Sequence, residues 1–343
     1  MSIIDIKKRK IKMENILEIK DLYVSYKTFE GIARVVNGLN LCVQQGESLG
    51  LVGETGAGKT AAALSIMKLL PPRTGSINQG QILYRGVDLT KKSDDYLQKI
   101  RGNKISMVFQ NPSTSLNPVF TIGEQISMVF TRHYSLSQRE AWKKAGEMLE
   151  VVGIPSRRAE EYPHQFSGGM RQRIGIAASL ACRPDLLIAD EPTSALDVTI
   201  QAQVLELLKE LMHKYNTSLI MISHNLGIIA EICQNIAVMY AGSIIEYGSI
   251  EQVFRYPSHP YTRGLFASLP DIHDKKDRLN AMQGVISDAL NLPEGCKFNP
   301  RCPCVMEKCK LNMPKSIKIK PDHYVACFMK NKTEVKEIDR TIT

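Results

Sequence analysis

The chain has 343 residues, 43% apolar and 23% charged, enough to bury the core of one large domain or two smaller ones. No stretch approaches the roughly 18–20 consecutive apolar residues of a membrane-spanning helix, and no apolar run follows the basic N-terminus. A spanning helix and a secretory signal are thereby excluded, and a cytosolic chain is expected. The net charge of +9 sits at the ends: residues 14–257 carry 24 basic and 24 acidic side chains, residues 1–13 contribute +4 and residues 258–343 contribute +5. A nucleic-acid stripe would run through the body of the chain, so contact with anionic lipid or a membrane partner is the better expectation for this charge. Residues 1–13 read as a basic leader, and Met13 is a candidate internal start.

In chain order, apolar runs from Ile16 to Tyr26, Leu39 to Val43 and Ser48 to Val52 predict strands. A glycine-rich turn follows, then a helix from Lys59 to about Leu70 that Pro71-Pro72 ends. Ile105 to Phe109 reads as a short buried strand. Residues 111–165 change to helical period, clearest over Ile122–Phe130 and Glu140–Val152, and form a helical insert. Alternation then resumes with helix 168–182, strand 185–190, helix 198–215, strand 218–223 and two short strands between 235 and 247. Strands and helices alternating at these lengths predict an α/β fold with a mostly parallel sheet covered on both faces. The main domain is expected over 14–257, and past Pro257 the regularity fades.

Gly53-Glu54-Thr55-Gly56-Ala57-Gly58-Lys59-Thr60 fits G-x-x-x-x-G-K-[ST] and lies between a strand and a helix. Its glycines let backbone N–H groups turn toward phosphates, and the helix dipole lies beneath the same anion. Lys59 is placed for the β and γ phosphates and Thr60 for Mg²⁺, with Ala61 continuing the helix start. Downstream, Asp185-Leu-Leu-Ile-Ala-Asp190-Glu191 is an apolar strand ending in two carboxylates at the sheet mouth. Asp190 fits a Mg²⁺ partner and Glu191 a base for the attacking water.

Phe166-Ser167-Gly168-Gly169-Met170 opens a second helix about twenty residues before Asp190. A hydroxyl and two glycine amides at a helix start make another anion site. This segment resembles the signature of the ABC ATPases, whose commonest form has Leu first and Gln last; the chain departs at both ends but keeps the Ser-Gly-Gly centre. The resemblance implies a P-loop NTPase fold with a helical subdomain, and ATP sandwiched between two head-to-tail subunits. Ser167, Gly168, Gly169 and Asp197 would then serve the partner's nucleotide. It further implies that Gln110 reaches the Mg²⁺ and the attacking water, that His224 contacts the γ-phosphate, and that Tyr26 stacks on adenine. A tyrosine near a strand end or a lone histidine is more often structural; His224 is singled out by its place 33 residues after Glu191.

Residues 111–118 (Asn-Pro-Ser-Thr-Ser-Leu-Asn-Pro) and Tyr162-Pro163-His164-Gln165-Phe166 are similar to the oligopeptide and dipeptide importer ATPases, as are Pro257–Thr262 and Leu292–Pro303. Such a subunit would sit at the cytoplasmic face of the membrane. Its partners would be two permease subunits, a second identical or homologous ATPase and, indirectly, an external peptide-binding protein, with no nucleic acid. An ABC ATPase acting on DNA or ribosomes is the rival reading, and the long inserted arms, second module or basic stripe that would favour it are absent from the sequence.

Five of the eight cysteines crowd between 296 and 327. In a reducing compartment this crowding suggests metal chemistry, leaving open an iron–sulfur cluster, zinc or free thiols. The resemblance favours a [4Fe–4S] cluster on Cys296, Cys302, Cys309 and Cys327, with Cys304 as an extra. Few apolar residues lie between 291 and 330, so a small metal-stapled C-terminal lobe within 258–343 is expected.

Overall fold

The computed structural model describes residues 15–110, 115–194, 196–268 and 282–330. The basic leader, the Met13 start, the first four residues of the 111–118 stretch and Ala195 lie outside them.

Two sheets organise the chain. The first is antiparallel, with order β2-β1-β4-β5 built from β1 (Asn15–Lys27), β2 (Ile32–Gln44), β4 (Gly75–Tyr84) and β5 (Val87–Asp88). Bulges shift the register between β1 and β2 at several points, bending this sheet over one core. The sequence reading did not anticipate it as a separate sheet. In β4 the run Ser76-Ile77-Asn78-Gln79-Gly80-Gln81 has no clean alternation, and pairing with β1 supplies what the pattern lacks.

The second sheet carries the chemistry. Its centre is β3 (Ser48–Val52), β6 (Ile105–Val108), β7 (Leu186–Asp190), β8 (Ser218–Ile222) and β9 (Asn235–Tyr240), in the order β9-β3-β8-β7-β6 with every neighbouring pair parallel. Each residue of β6, β7 and β8 is buried, as unbroken apolar runs require when both faces are covered. The expected parallel sheet is therefore present. Antiparallel β10 (Ser243–Ser249), β12 (His323–Val325) and β11 (Ile317–Lys320) extend it from β9 to eight strands.

Helix α1 (Lys59–Ile66) ends four residues short of the expected Leu70, and α2 (Asp94–Ile100), unforeseen, is capped by Ser93. The helical insert contains α3 (Ile122–His133) and α4 (Gln138–Val151). Each begins with a complete capping box, Thr121 with Glu124 and Ser137 with Glu140, so both starts are fixed locally. Then come α5 (Gly168–Leu180), α6 (Val198–Tyr215) and α7 (Leu226–Ile232), followed by α8 (Ile250–Arg255), α9 (Pro260–Ala267) and α10 (Glu307–Leu311).

The C-terminal segment corrects the expectation of a separate lobe. Phe298 is 2% exposed, with its ring 5.2 Å from Tyr240 and 5.5 Å from Tyr261, both edge-on. The fully buried Glu246 carboxylate on β10 accepts from the backbone N–H of Ser258 (2.7 Å) and His259 (2.8 Å) and lies 2.8 Å from His323 Nε2 on β12. One aromatic anchor, two added strands and one buried carboxylate tie the segment into the main sheet, so it needs no core of its own. Replacing Glu246 by Ala should cost about 3 kcal/mol, because three buried donors lose one acceptor. Urea denaturation of parent and variant measures it.

Candidate nucleotide site

Residues 53–58 link β3 to α1. Thr55, Gly56 and Thr60 are open to solvent, while Ala57, Lys59 and Ala61 are buried. Gly58 has φ +99°, and a Cβ there would lie 2.2 Å from the Val35 carbonyl oxygen, so both backbone and space demand glycine. A Cβ on Gly56 would meet nothing within 4 Å, which leaves that face free for an anion. Lys59 Nζ donates to the carbonyls of Gly53 (2.7 Å) and Glu54 (3.0 Å), closing the loop on itself. Burial pushes its ammonium pKa down, and the charges of Glu191, Asp190 and Glu54 oppose that.

Asp190 is 4% exposed at the end of β7. Burial pushes its carboxyl pKa up; the nearby Thr60 hydroxyl pulls it down, Glu191 raises it further and Lys59 lowers it. The hydroxyl and carboxylate expected to hold Mg²⁺ thus lie near each other, and a hard cation between them would relieve the buried charge. Glu191 turns sharply with φ +47° while its N–H donates to Ile222 at the end of β8 (2.9 Å). Its Oε2 accepts from Gln110 Nε2 at 3.0 Å, and its Oε1 lies 3.2 Å from His224 Nδ1. Gln110, Glu191 and His224 come together, drawn from the ends of three adjacent strands.

Two family models match the chain: ABC transporter over residues 36–194, and oligopeptide/dipeptide transporter, C-terminal region, over 245–309. The oligopeptide transport ATP-binding protein AppD of Bacillus subtilis (strain 168) is 46% identical over 321 residues, covering 92% of this chain and 97% of the relative. The dipeptide transport ATP-binding protein DppD of the same organism is 44% identical over 321 residues, covering 93% and 96%. The chain belongs to the ATP-binding proteins of oligopeptide/dipeptide ABC transporters. Among solved structures, the dimeric ATP-binding cassette MJ0796 in a post-hydrolysis state with ADP and Pi superposes with a TM-score of 0.62 at 28% identity, covering 68% of this chain and 98% of that one.

The remaining positions of this ABC ATPase vary in what the fold gives them. Ser167 caps α5, its Oγ accepting from Met170 N–H at 3.3 Å. A Cβ on Gly169 would lie 2.3 Å from Ile200 of α6, and one on Gly168 would lie 3.6 Å from Leu196. Gly168 and Gly169 therefore lie against Leu196 and the first turn of α6. Asp197 caps α6 through Ile200 N–H (3.0 Å), a structural duty the sequence reading did not assign. Tyr26 ends β1 with its ring against Gly75, where a Cβ would meet it at 2.9 Å. Packing is what the fold gives it.

Cys296, Cys302, Cys304, Cys309 and Cys327 line one small cavity with His259 and Phe298. Burial raises the pKa of the Cys296 thiol and pushes that of Cys302 up to about 11. Among the described residues no three His, Cys, Asp or Glu side chains are set to hold a metal ion, so the expected staple has no preformed site. One feature escaped the sequence altogether. Tyr261 Oη accepts from the Glu54 N–H (2.9 Å), and Arg301 pairs with the Glu54 side chain, so residues past 257 touch the phosphate loop. No local pattern announces contacts between residues more than 200 positions apart.

Gly58→Ala should weaken nucleotide binding at least about tenfold, since left-handed backbone strain of about 1–2 kcal/mol adds to a backbone collision. Titration with a fluorescent ATP analogue measures it.

Proposed function

We propose that this ABC ATPase energises import of di- or oligopeptides, working as one of two ATPase subunits on the cytoplasmic face of a membrane permease pair. The observation that carries the chemistry is the Glu191 carboxylate held between Gln110 and His224, beside Asp190 and Thr60. In this reading Glu191 polarises the attacking water, Gln110 orients the same carboxylate and His224 meets the γ-phosphate. Backbone N–H groups of residues 53–60 and the Lys59 ammonium bind the triphosphate. Thr60 and Asp190, with Gln110, would hold Mg²⁺, which neutralises phosphate charge. Ser167, Gly168, Gly169 and Asp197 serve the nucleotide of the second subunit, identical or homologous, and Tyr26 offers a ring to adenine.

The cargo follows the relatives, named for oligopeptide and dipeptide transport, and the match of residues 245–309 to that group's C-terminal region. No helix among the described residues is long and apolar enough to cross a membrane, so peptide passage would belong to the permease subunits and capture to an external binding protein. The helical insert supplies a docking rim, with Val119, Phe120 and Met128 exposed on it and Phe109 exposed just before it.

Glu191→Gln should keep nucleotide affinity but lower turnover by about 10²–10⁴-fold, the contribution of a positioned general base. Phosphate release and nucleotide titration together check it, and near-parental turnover would remove Glu191 from this role. Ser167→Arg should block hydrolysis in the dimer while leaving the isolated subunit's nucleotide affinity within about twofold of the parent.

For the cysteines, we propose a [4Fe–4S] cluster on Cys296, Cys302, Cys309 and Cys327, with zinc as the alternative; the support is that these four thiols and Cys304 line one cavity. Anaerobically purified protein should then contain about four iron and four sulfide per chain. Metal-free protein with this segment still folded would remove the cluster.

A further inference from the structure

Arg301 spans 247 positions of sequence to reach the phosphate loop. Its Nη1 donates to Glu54 Oε2 at 2.7 Å and its Nη2 to Oε1 at 3.1 Å, a two-pronged pair with the guanidinium side chain 4% exposed. Nε donates to the Gln283 carbonyl at 3.2 Å, and the guanidinium lies 5.9 Å from the centre of the Tyr240 ring. Its pKa is raised, first by the bond to Glu54. The same loop residue is gripped twice more: its N–H by Tyr261 Oη and its carbonyl by Lys59 Nζ. Glu54 is thus fixed at backbone and side chain, mostly by residues of the C-terminal extension.

The charge arithmetic gives this contact a consequence. Residues 53–60 must receive a polyanion, and Glu54 puts a carboxylate inside that loop. Unpaired, it would repel incoming phosphate and compete for Lys59, whose ammonium already feels its charge. Arg301 neutralises Glu54 and turns it away into a buried pair.

We propose that Arg301 is a positioning residue of the nucleotide site, acting through Glu54 to hold the phosphate loop in its binding shape. The C-terminal extension is then part of the ATP site, with Arg301 immediately preceding Cys302 at the cysteine cavity. This rests on residues 53–60 being the nucleotide's phosphate loop.

The test uses the full chain and a fluorescent ATP analogue, with ATPase kinetics in parallel. A loop in its binding shape a tenth of the time binds about tenfold more weakly. Arg301→Ala should therefore raise the analogue's Kd and the KM for ATP about tenfold, while kcat at saturating ATP stays within about twofold because bound nucleotide recaptures the loop. Arg301→Lys, which keeps the charge but loses the fork, should fall between parent and Ala. Lys310→Ala, which breaks an exposed pair with Glu307 in the same extension, should change nothing. If Arg301→Ala does not fold, Arg301→Lys carries the same test, with a Kd raised above the parent's. A merely structural pair predicts the opposite: folded Arg301 variants with a lower unfolding temperature and a Kd within about twofold of the parent, which would overturn the proposal. Lys59→Ala separates the two layers. If it loses nucleotide and the Arg301 variants do not, only this inference fails; if it keeps nucleotide, the reading of the loop fails too.

Discussion

A parallel strand buried on both faces that ends in two acids obliges its neighbours to supply partners. Asp190 and Glu191 end β7, and the strand order puts β8 on one side, β6 on the other and β3 beyond β8. From these three ends come His224, Gln110 and the loop bearing Lys59 and Thr60. The proposed catalytic constellation follows from sheet order more than from any loop fold, and this is why the carboxyl edge of such sheets gathers function. The left-handed turn at Glu191 matters for the same reason. Its N–H is secured by Ile222 at the end of β8, so the carboxylate is aimed across the strand ends instead of following the strand.

The chemistry near this edge was legible because its signals are local. Residues 53–60 fix a loop by glycine positions, and the acid pair ends an apolar run that can only be a buried strand. The helical period over Ile122–Phe130 and Glu140–Val152 likewise made the insert's helices readable. What could not be read was set by distant partners. Strand β4, rich in Asn and Gln, takes its identity from β1.

The C-terminal segment shows the limit most clearly. Its scarcity of apolar residues argued for a metal staple, an argument sound only for a segment folding alone. Here Phe298 borrows the aromatic pocket of Tyr240 and Tyr261, and His323 with β12 completes a polar network around Glu246 that begins at β10. Docking supplies the core that composition lacked. The same docking carries Arg301 to Glu54 and so connects the cysteine cavity to the phosphate loop.

The central claim is that Gln110 and His224, besides their proposed contacts to Mg²⁺ and the γ-phosphate, together hold the one carboxylate of Glu191. A double-mutant cycle in hydrolysis rate tests it most directly, using Gln110→Ala, His224→Ala and the pair. Residues working through a shared group are non-additive, so the double variant should lose much less than the product of the single losses, with a coupling of at least about 1 kcal/mol. Losses that multiply cleanly, within about 0.5 kcal/mol of additivity, would mean that the two side chains act independently and would contradict the account.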